Sequence, residues 1–202
     1  MGRFTLAAVL VLSAASASAE IIDRILAVVN GALIMQSDVK MAVRLGLAPQ
    51  STASDAVAVP LDALIERRLV LEEVDRYAPP DPAQTDVDRR LADVRARAGS
   101  AFDSILRDSG ISVDQLRRQI RDDLRIDAYL LQRFGGVQPS DDEIQQYYRE
   151  HQPTFTRNGA VRPIEEVRDL VRAELIANQR AGMIKDWITG LRRRATINVL
   201  PR

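Results

Sequence analysis

Ile25-Leu26-Ala27-Val28-Val29-Asn30-Gly31-Ala32-Leu33-Ile34-Met35 is the stretch that decides the fold. Two apolar runs flank Asn-Gly, whose residues both tolerate the positive φ that the tightest hairpin turn demands. A hairpin alone is barely stable in water. The remaining β signal lies at the far end of the chain, in the weak alternation of Thr196-Ile197-Asn198-Val199-Leu200. The economical expectation is that this last strand pairs with the first hairpin and ties the chain termini together.

Helical patterns fill the space between. Ser37 or Asp38 is expected to cap a short helix ending near Gly46. Residues 49–60 are small and polar and read as loop. Leu61, Leu64, Ile65, Leu69, Leu71 and Val74 then recur at helical spacing until Ala78-Pro79-Pro80-Asp81-Pro82 stops them. A thin stripe of Val87, Leu91, Val94 and Ala98 marks the next helix, and a short one around 102–107 follows. Ser112 caps a helix reaching about Phe134, with Leu116, Ile120, Leu124, Ala128 and Leu131 on its apolar side. Ser140-Asp141-Asp142-Glu143 is a capping box that opens a helix to about His151. Residues 152–163 read as loop. The longest helix spans about 164–195, with Val167, Leu170, Val171, Leu175, Met183, Ile184, Trp187, Ile188 and Leu191 apolar. The fold class is therefore mainly α with a small β-sheet, the N-terminal hairpin pairing with the C-terminal strand.

The first residues read as an export signal. Arg3 gives a positive start, an apolar core runs from Phe4 to Leu12, and Ala17-Ser18-Ala19 is the A-x-A pattern accepted by signal peptidase. Cleavage after Ala19 leaves 183 of the 202 residues. The apolar core is too short to cross a bilayer, and no other stretch reads as a membrane span. The chain has 28 basic and 28 acidic residues, so no one-sided charge favours nucleic acid. Cysteine is absent, and aromatic residues are only 4%, so a core of Leu, Ile, Val and Ala must hold an exported protein without disulfides.

The catalytic inventory is poor. Thiol chemistry is excluded, and the one histidine, His151, stands at a helix end where a cation suits the dipole. A two-histidine metal or acid–base site cannot be built. The pairs Asp122-Asp123, Asp141-Asp142 and Glu165-Glu166 are consecutive and point apart on a helix. Gly135-Gly136 lacks the lysine and glycines of a phosphate loop and reads as a helix stop. No cofactor, metal site or enzymatic activity is expected.

Several ordered segments resemble the SurA-type periplasmic chaperones. They are Ile22-Asp23-Arg24 through Gly31 with Ser37-Asp38-Val39, Leu61-Asp62-Ala63-Leu64-Ile65-Glu66-Arg67-Arg68, and Val113-Asp114-Gln115-Leu116-Arg117-Arg118. Pro139-Ser140-Asp141-Asp142-Glu143-Ile144 with Tyr147-Tyr148, and Ile164-Glu165-Glu166-Val167-Arg168 with Ala195-Thr196-Ile197-Asn198-Val199, complete the set. Family members usually carry parvulin-type prolyl isomerase domains between the Tyr-Tyr helix and the C-terminal helix. Here only residues 152–163 occupy that place, too few for a domain of about 50 residues.

The resemblance therefore implies a chaperone core spanning 20–202, with an N-terminal part 20–151, the segment 152–163, and a C-terminal helix and strand 164–202. It implies an ATP-independent periplasmic holder of unfolded or extended polypeptides, outer-membrane proteins above all, without isomerase activity. Flexible apolar side chains suit varied clients. Met35, Met41, Leu45 and Leu47, on or beside the first short helix, are the candidate peptide-binding residues, and packing of the hairpin onto the core is their alternative role. A client strand pairing with the sheet edge is a second mode. A dedicated envelope assembly or structural partner recognising one protein is the rival reading. The long last helix leaves a homodimer formed by swapping it open.

Overall fold

The computed structural model describes residues 23–51, 57–157 and 159–201. The expected export signal at 1–19 lies outside the described residues. Strands β1 (Ile25–Val29) and β2 (Ala32–Met35) form the hairpin, with Asn30 at φ 48° and Gly31 at φ 87° in the turn. Both central residues are left-handed, as the Asn-Gly reading requires. Ile25 faces Met35 while Ala27 faces Ile34, so Leu26 is an extra, bulged residue whose side chain is buried. Strand β5 (Ile197–Val199) pairs antiparallel with β1, giving the order β2-β1-β5. The two chain ends thus share one small sheet.

Helix α1 (Gln36–Arg44) follows β2 without a break, and its capping differs from expectation. Neither Ser37 nor Asp38 stands at the cap position. Asp38 lies one turn in and accepts from the Met35 N–H at 2.9 Å. Asp23, from before β1, accepts from the Ser37 N–H at 3.1 Å and from its hydroxyl. Two carboxylates therefore sit at the positive end of the helix.

Helix α2 (Ala58–Tyr77) starts earlier than its apolar pattern suggests, with Pro60 in the first turn, where the missing N–H breaks no internal bond. Its face of Leu61, Ile65, Leu69 and Val74 lies on the sheet. Helices α3 (Gln84–Ala98) and α4 (Phe102–Asp108) lead to α5 (Val113–Phe134), capped by Ser112 and Gln115 acting reciprocally. Val87, Leu91 and Val94 of α3 meet Leu116 and Ile120 of α5, with Met41, Leu45, Phe102 and Ile105, in a second apolar cluster. The stripe of α5 drifts beyond Leu124. Leu131 is 57% exposed, and Tyr129, not Ala128 or Leu131, enters the sheet cluster.

A third cluster stands apart. Helix α6 (Asp141–Glu150) is opened by the Ser140–Glu143 capping box, in which the Ser140 N–H donates to the Glu143 carboxylate at 2.7 Å. That bond holds the Glu143 carboxyl below its ordinary range. Residues 152–157 and 159–163 carry more regular structure than a plain loop. After a tight turn at Gln152–Phe155, β3 (Thr156–Arg157) and β4 (Ala160–Val161) pair antiparallel. Phe155 is the reason: it is buried against Ile144, Val167, Val171 and Leu175, and the Tyr148 hydroxyl donates to the Arg162 carbonyl at 2.6 Å.

Helix α7 (Ile164–Arg194) runs 31 residues, about 46 Å. Its first half belongs to the third cluster, and its last turns, with Trp187, Ile188 and Leu191, belong to the sheet cluster. Arg192 pins that end to α2 through Asp62 and Glu66.

Candidate functional site

The four sequence candidates fall in different environments. Met41 and Leu45 are 3% and 1% exposed and pack in the second cluster. Leu47 is half-buried against the same cluster. Met35 ends β2 opposite Ile25, at the open end of the hairpin. Met41 and Leu47 do meet at a pocket of about 180 Å³, together with Leu33, Ile34, Ala42 and Leu64. Met35 and Leu45 do not line it. A cavity of about 150 Å³ with aliphatic walls is enough for one aromatic ring, so this pocket has room for a single bulky side chain.

Charge surrounds that pocket. Asp38, Arg67, Arg68, Gln119 and Asp123 form its polar wall. Arg67 donates to the Asp123 carboxylate at 2.5 Å and to the Gln119 carbonyl at 3.0 Å, joining α2 to α5. Burial pushes the Asp123 carboxyl above its ordinary range despite the Arg67 cation, with Asp127 and Asp122 adding to the rise. Asp38 is raised too, first by burial and then by Asp23, against the opposing pull of the Met35 N–H.

A larger, open groove of about 630 Å³ lies where α5 ends beside the middle of α7. Phe134, Val137, Met183 and the backbones of Gly136 and Gly182 line it, with Arg133, Gln179 and Asp186 at the rim. Its volume is in the range of ligand clefts. Gly135 explains the turn out of α5: a Cβ there would stand 2.3 Å from the Leu131 carbonyl oxygen. A Cβ on Gly136 or Gly182 would meet only open space, so these two positions keep the groove wide.

The wall of the groove is stiff. Phe134 packs on Trp187 with ring centroids 5.6 Å apart, Trp187 on Tyr129 at 5.9 Å, and Tyr129 on Tyr77 at 5.7 Å. Arg133 lies over both Phe134 and Trp187 and donates to the Tyr129 hydroxyl at 3.3 Å. Such ring contacts add about 0.5–1.5 kcal/mol each beyond the area they bury. In a chain with so few aromatic residues, four in one stack mark a place. Met183, at 39% exposure, supplies an adaptable side to this rigid wall.

The apolar pattern puts Met183 on the buried side of its helix and Phe134 at a helix end, without joining them. Phe134 directly before Gly135-Gly136, an aromatic side chain delivered where the chain leaves the helix, marks one side of the groove but carries no local sign of Met183.

His151 approaches the Tyr147 carbonyl at 2.9 Å through Nδ1 and stacks on the Tyr147 ring at 3.9 Å, so it closes the end of α6. Among the described residues, no group of three or more His, Cys, Asp or Glu side chains is placed to hold a metal ion. Among them, too, no helix is long and apolar enough to cross a membrane.

No family model and no curated protein sequence matches the chain. A solved structure does. It comes from work on the virulence factor PEB4 and the periplasmic protein Cj1289, described as two structurally related SurA-like chaperones in the human pathogen Campylobacter jejuni. The superposition covers 89% of this chain and 100% of that one, with a TM-score of 0.54 and 14% identity. The chain therefore has the fold of a SurA-like chaperone core, mainly helical with a small sheet built from both chain ends.

Proposed function

We propose that this protein is a chaperone of the Gram-negative periplasm that holds extended, unfolded envelope proteins, outer-membrane proteins above all. It works without ATP and without prolyl isomerase activity, after an export signal is removed behind Ala19. The carrying observation is the open apolar groove of Phe134, Val137 and Met183, rigid on one wall and adaptable on the other. An enclosed pocket would select one ligand, whereas an open groove admits many chain segments. The pocket at Met41 and Leu47 is a second place for a single client side chain. The likeness of fold to proteins described as chaperones supports the reading. The absence of an isomerase rests on the segment 152–163, which is spent on a two-strand hairpin packed onto α6 and α7.

Light scattering tests it. Purified mature protein should slow the aggregation of a denatured outer-membrane protein diluted from urea. Met183→Asp puts a charge at an exposed position of the groove and should weaken that protection roughly tenfold, since burying a methionine is worth about 1.5–3 kcal/mol. No protection by the wild-type protein sinks the proposal. Protection confined to one envelope protein would assign the chain to a dedicated assembly role.

A further inference from the structure

Strand β5 ends the sheet, and its outer side is unpaired among the described residues. The hydrogen bonds toward β1 fix which of its groups point there. The Asn30 N–H donates to the Thr196 carbonyl at 2.9 Å, and the Leu200 N–H donates to the Leu26 carbonyl at 2.9 Å. Val28 lies opposite Asn198 between these two pairs. Residues 196, 198 and 200 thus turn their backbone groups inward. By the alternation of an antiparallel ladder, Ile197 and Val199 turn their N–H and C=O groups outward.

An apolar hollow runs beside this edge. Val199, Ala58, Val59, Leu61 and Ile65 line it with Asp62, over about 430 Å³. Val59 and Val199 are 46% and 53% exposed. Proteins usually blunt free edges with charge, proline, cover or a short strand; β5 is short and is followed by Pro201, but Ile197-Asn198-Val199-Leu200 carries no charge.

We infer that the β5 edge is a polypeptide-binding site. It takes an extended segment as an added antiparallel or parallel strand, whose alternate apolar side chains enter the Val59–Ile65 hollow. Outward N–H and C=O groups on two alternate residues fit a backbone, and a hollow on one side fits every second side chain of a strand. The size of the edge decides against a second copy of this chain. Two outward residues and a few exposed valines fall far short of the roughly 1,000 Å² that a stable dimer needs, and suit a weak, quickly released segment. The site shares no residue with the Met41–Leu47 pocket or with the Phe134–Met183 groove. The identity of the physiological segment as an unfolded client rests on the chaperone reading; the pairing itself does not.

The probe is a capped seven-residue peptide alternating valine and threonine between terminal lysines. Amide hydrogen exchange read by NMR should show Ile197 and Val199 N–H groups becoming protected on peptide addition, while the Asn198 N–H, already bonded to β1, changes little. Val199→Pro removes one outward N–H and leaves the inner ladder intact; it should weaken the peptide roughly fivefold or more. Val199→Thr keeps the N–H and strand preference and should bind within about twofold. Peptide that binds without protecting 197 and 199, or that binds Val199→Pro as well as wild type, overturns the inference. So does protection that rises with protein concentration in the absence of peptide, which would give the edge to a second copy. If Val199→Pro loses the peptide yet protects against aggregation as well as wild type, the edge stands as a peptide site and its use by unfolded clients is refuted; if wild type protects amides 197 and 199 with the peptide but slows no aggregation, the chaperone reading fails and the edge stands.

Discussion

Asn30 offers the sharpest test of how the two chain ends are joined. It holds φ 48° in the hairpin turn, a left-handed conformation that costs most non-glycine residues about 1–2 kcal/mol but Asn rather less. Its side chain does two further things. Oδ1 accepts from the Thr196 N–H at 2.9 Å, at the entrance to β5, and Nδ2 donates to Glu72 of α2 at 2.6 Å. Both bonds are exposed, so each is taken at the low end of the net range, about 0.5 kcal/mol. Asn30→Ala loses both bonds and adds backbone strain, about 2–3 kcal/mol in all. Asn30→Gly loses the bonds but accepts the turn, about 1 kcal/mol. For a domain of this size about 2–4 °C of melting temperature follows each kcal/mol. The expected order is wild type, then Gly, then Ala, with Ala lower than wild type by roughly 4–12 °C. Thermal unfolding followed by circular dichroism reads it. If Asn30→Ala melts at or above Asn30→Gly, the turn is not what this reasoning says it is. If both match wild type, the link from turn to β5 contributes nothing.

Other perturbations probe other parts. Ile144→Ala empties the centre of the third cluster, where Ile144 is fully buried, and should cost about 2–5 kcal/mol. Hydrogen exchange should then rise through α6 and residues 155–171 while α2 and β1 stay protected, because that cluster is separate from the sheet cluster. Asp123 gives a pH signature. Its carboxyl is raised in the folded state, so its proton is held more tightly there than in the unfolded chain. That contribution to stability is present below the ordinary carboxylate range and is lost as pH rises through the raised value. The stability of wild type relative to Asp123→Asn should therefore increase as pH falls from 7 toward 4, and urea titrations at several pH values should show that slope. A flat or opposite slope would mean that Arg67 outweighs burial at this site.

The sheet was legible because its signals are local. Asn30-Gly31 states its own turn, and the hairpin leaves an edge of β1 open to the terminal strand. The helix caps at Ser112 and Ser140 were legible for the same reason, each being a four-residue pattern. The cap of α1 was not, since Asp23 reaches it across the hairpin from before β1. The candidate surfaces were still less so. Met41 and Leu45 look alike when flexibility alone is weighed, but Met41 lines the small pocket while Leu45 only packs in the second cluster. Phe134 and Met183 are far apart in sequence, and nothing local says that the end of one helix meets the middle of the other.

The place of the groove follows from α7 itself. Its buried residues form two sets, Val167, Val171 and Leu175 before, and Leu191 after with half-buried Trp187 and Ile188. At about 100° per residue, Leu175 and Leu191 point roughly 160° apart around the helix. One helix therefore serves two cores on nearly opposite sides, and none of residues 176–190 is fully buried. A helix that changes sides must leave an uncovered stretch between its two attachments. Here that stretch carries Gly182 and Met183, and it faces Phe134 as α5 ends. Filling it with a large side chain at Gly182 would close the groove without touching either core, because a Cβ there meets nothing within 4 Å. Gly182→Leu should accordingly lose protection against aggregation while melting between the wild-type temperature and about 4 °C above it, the helix gain of leucine over glycine being under about 1 kcal/mol. Full protection by that variant would move client binding away from this groove.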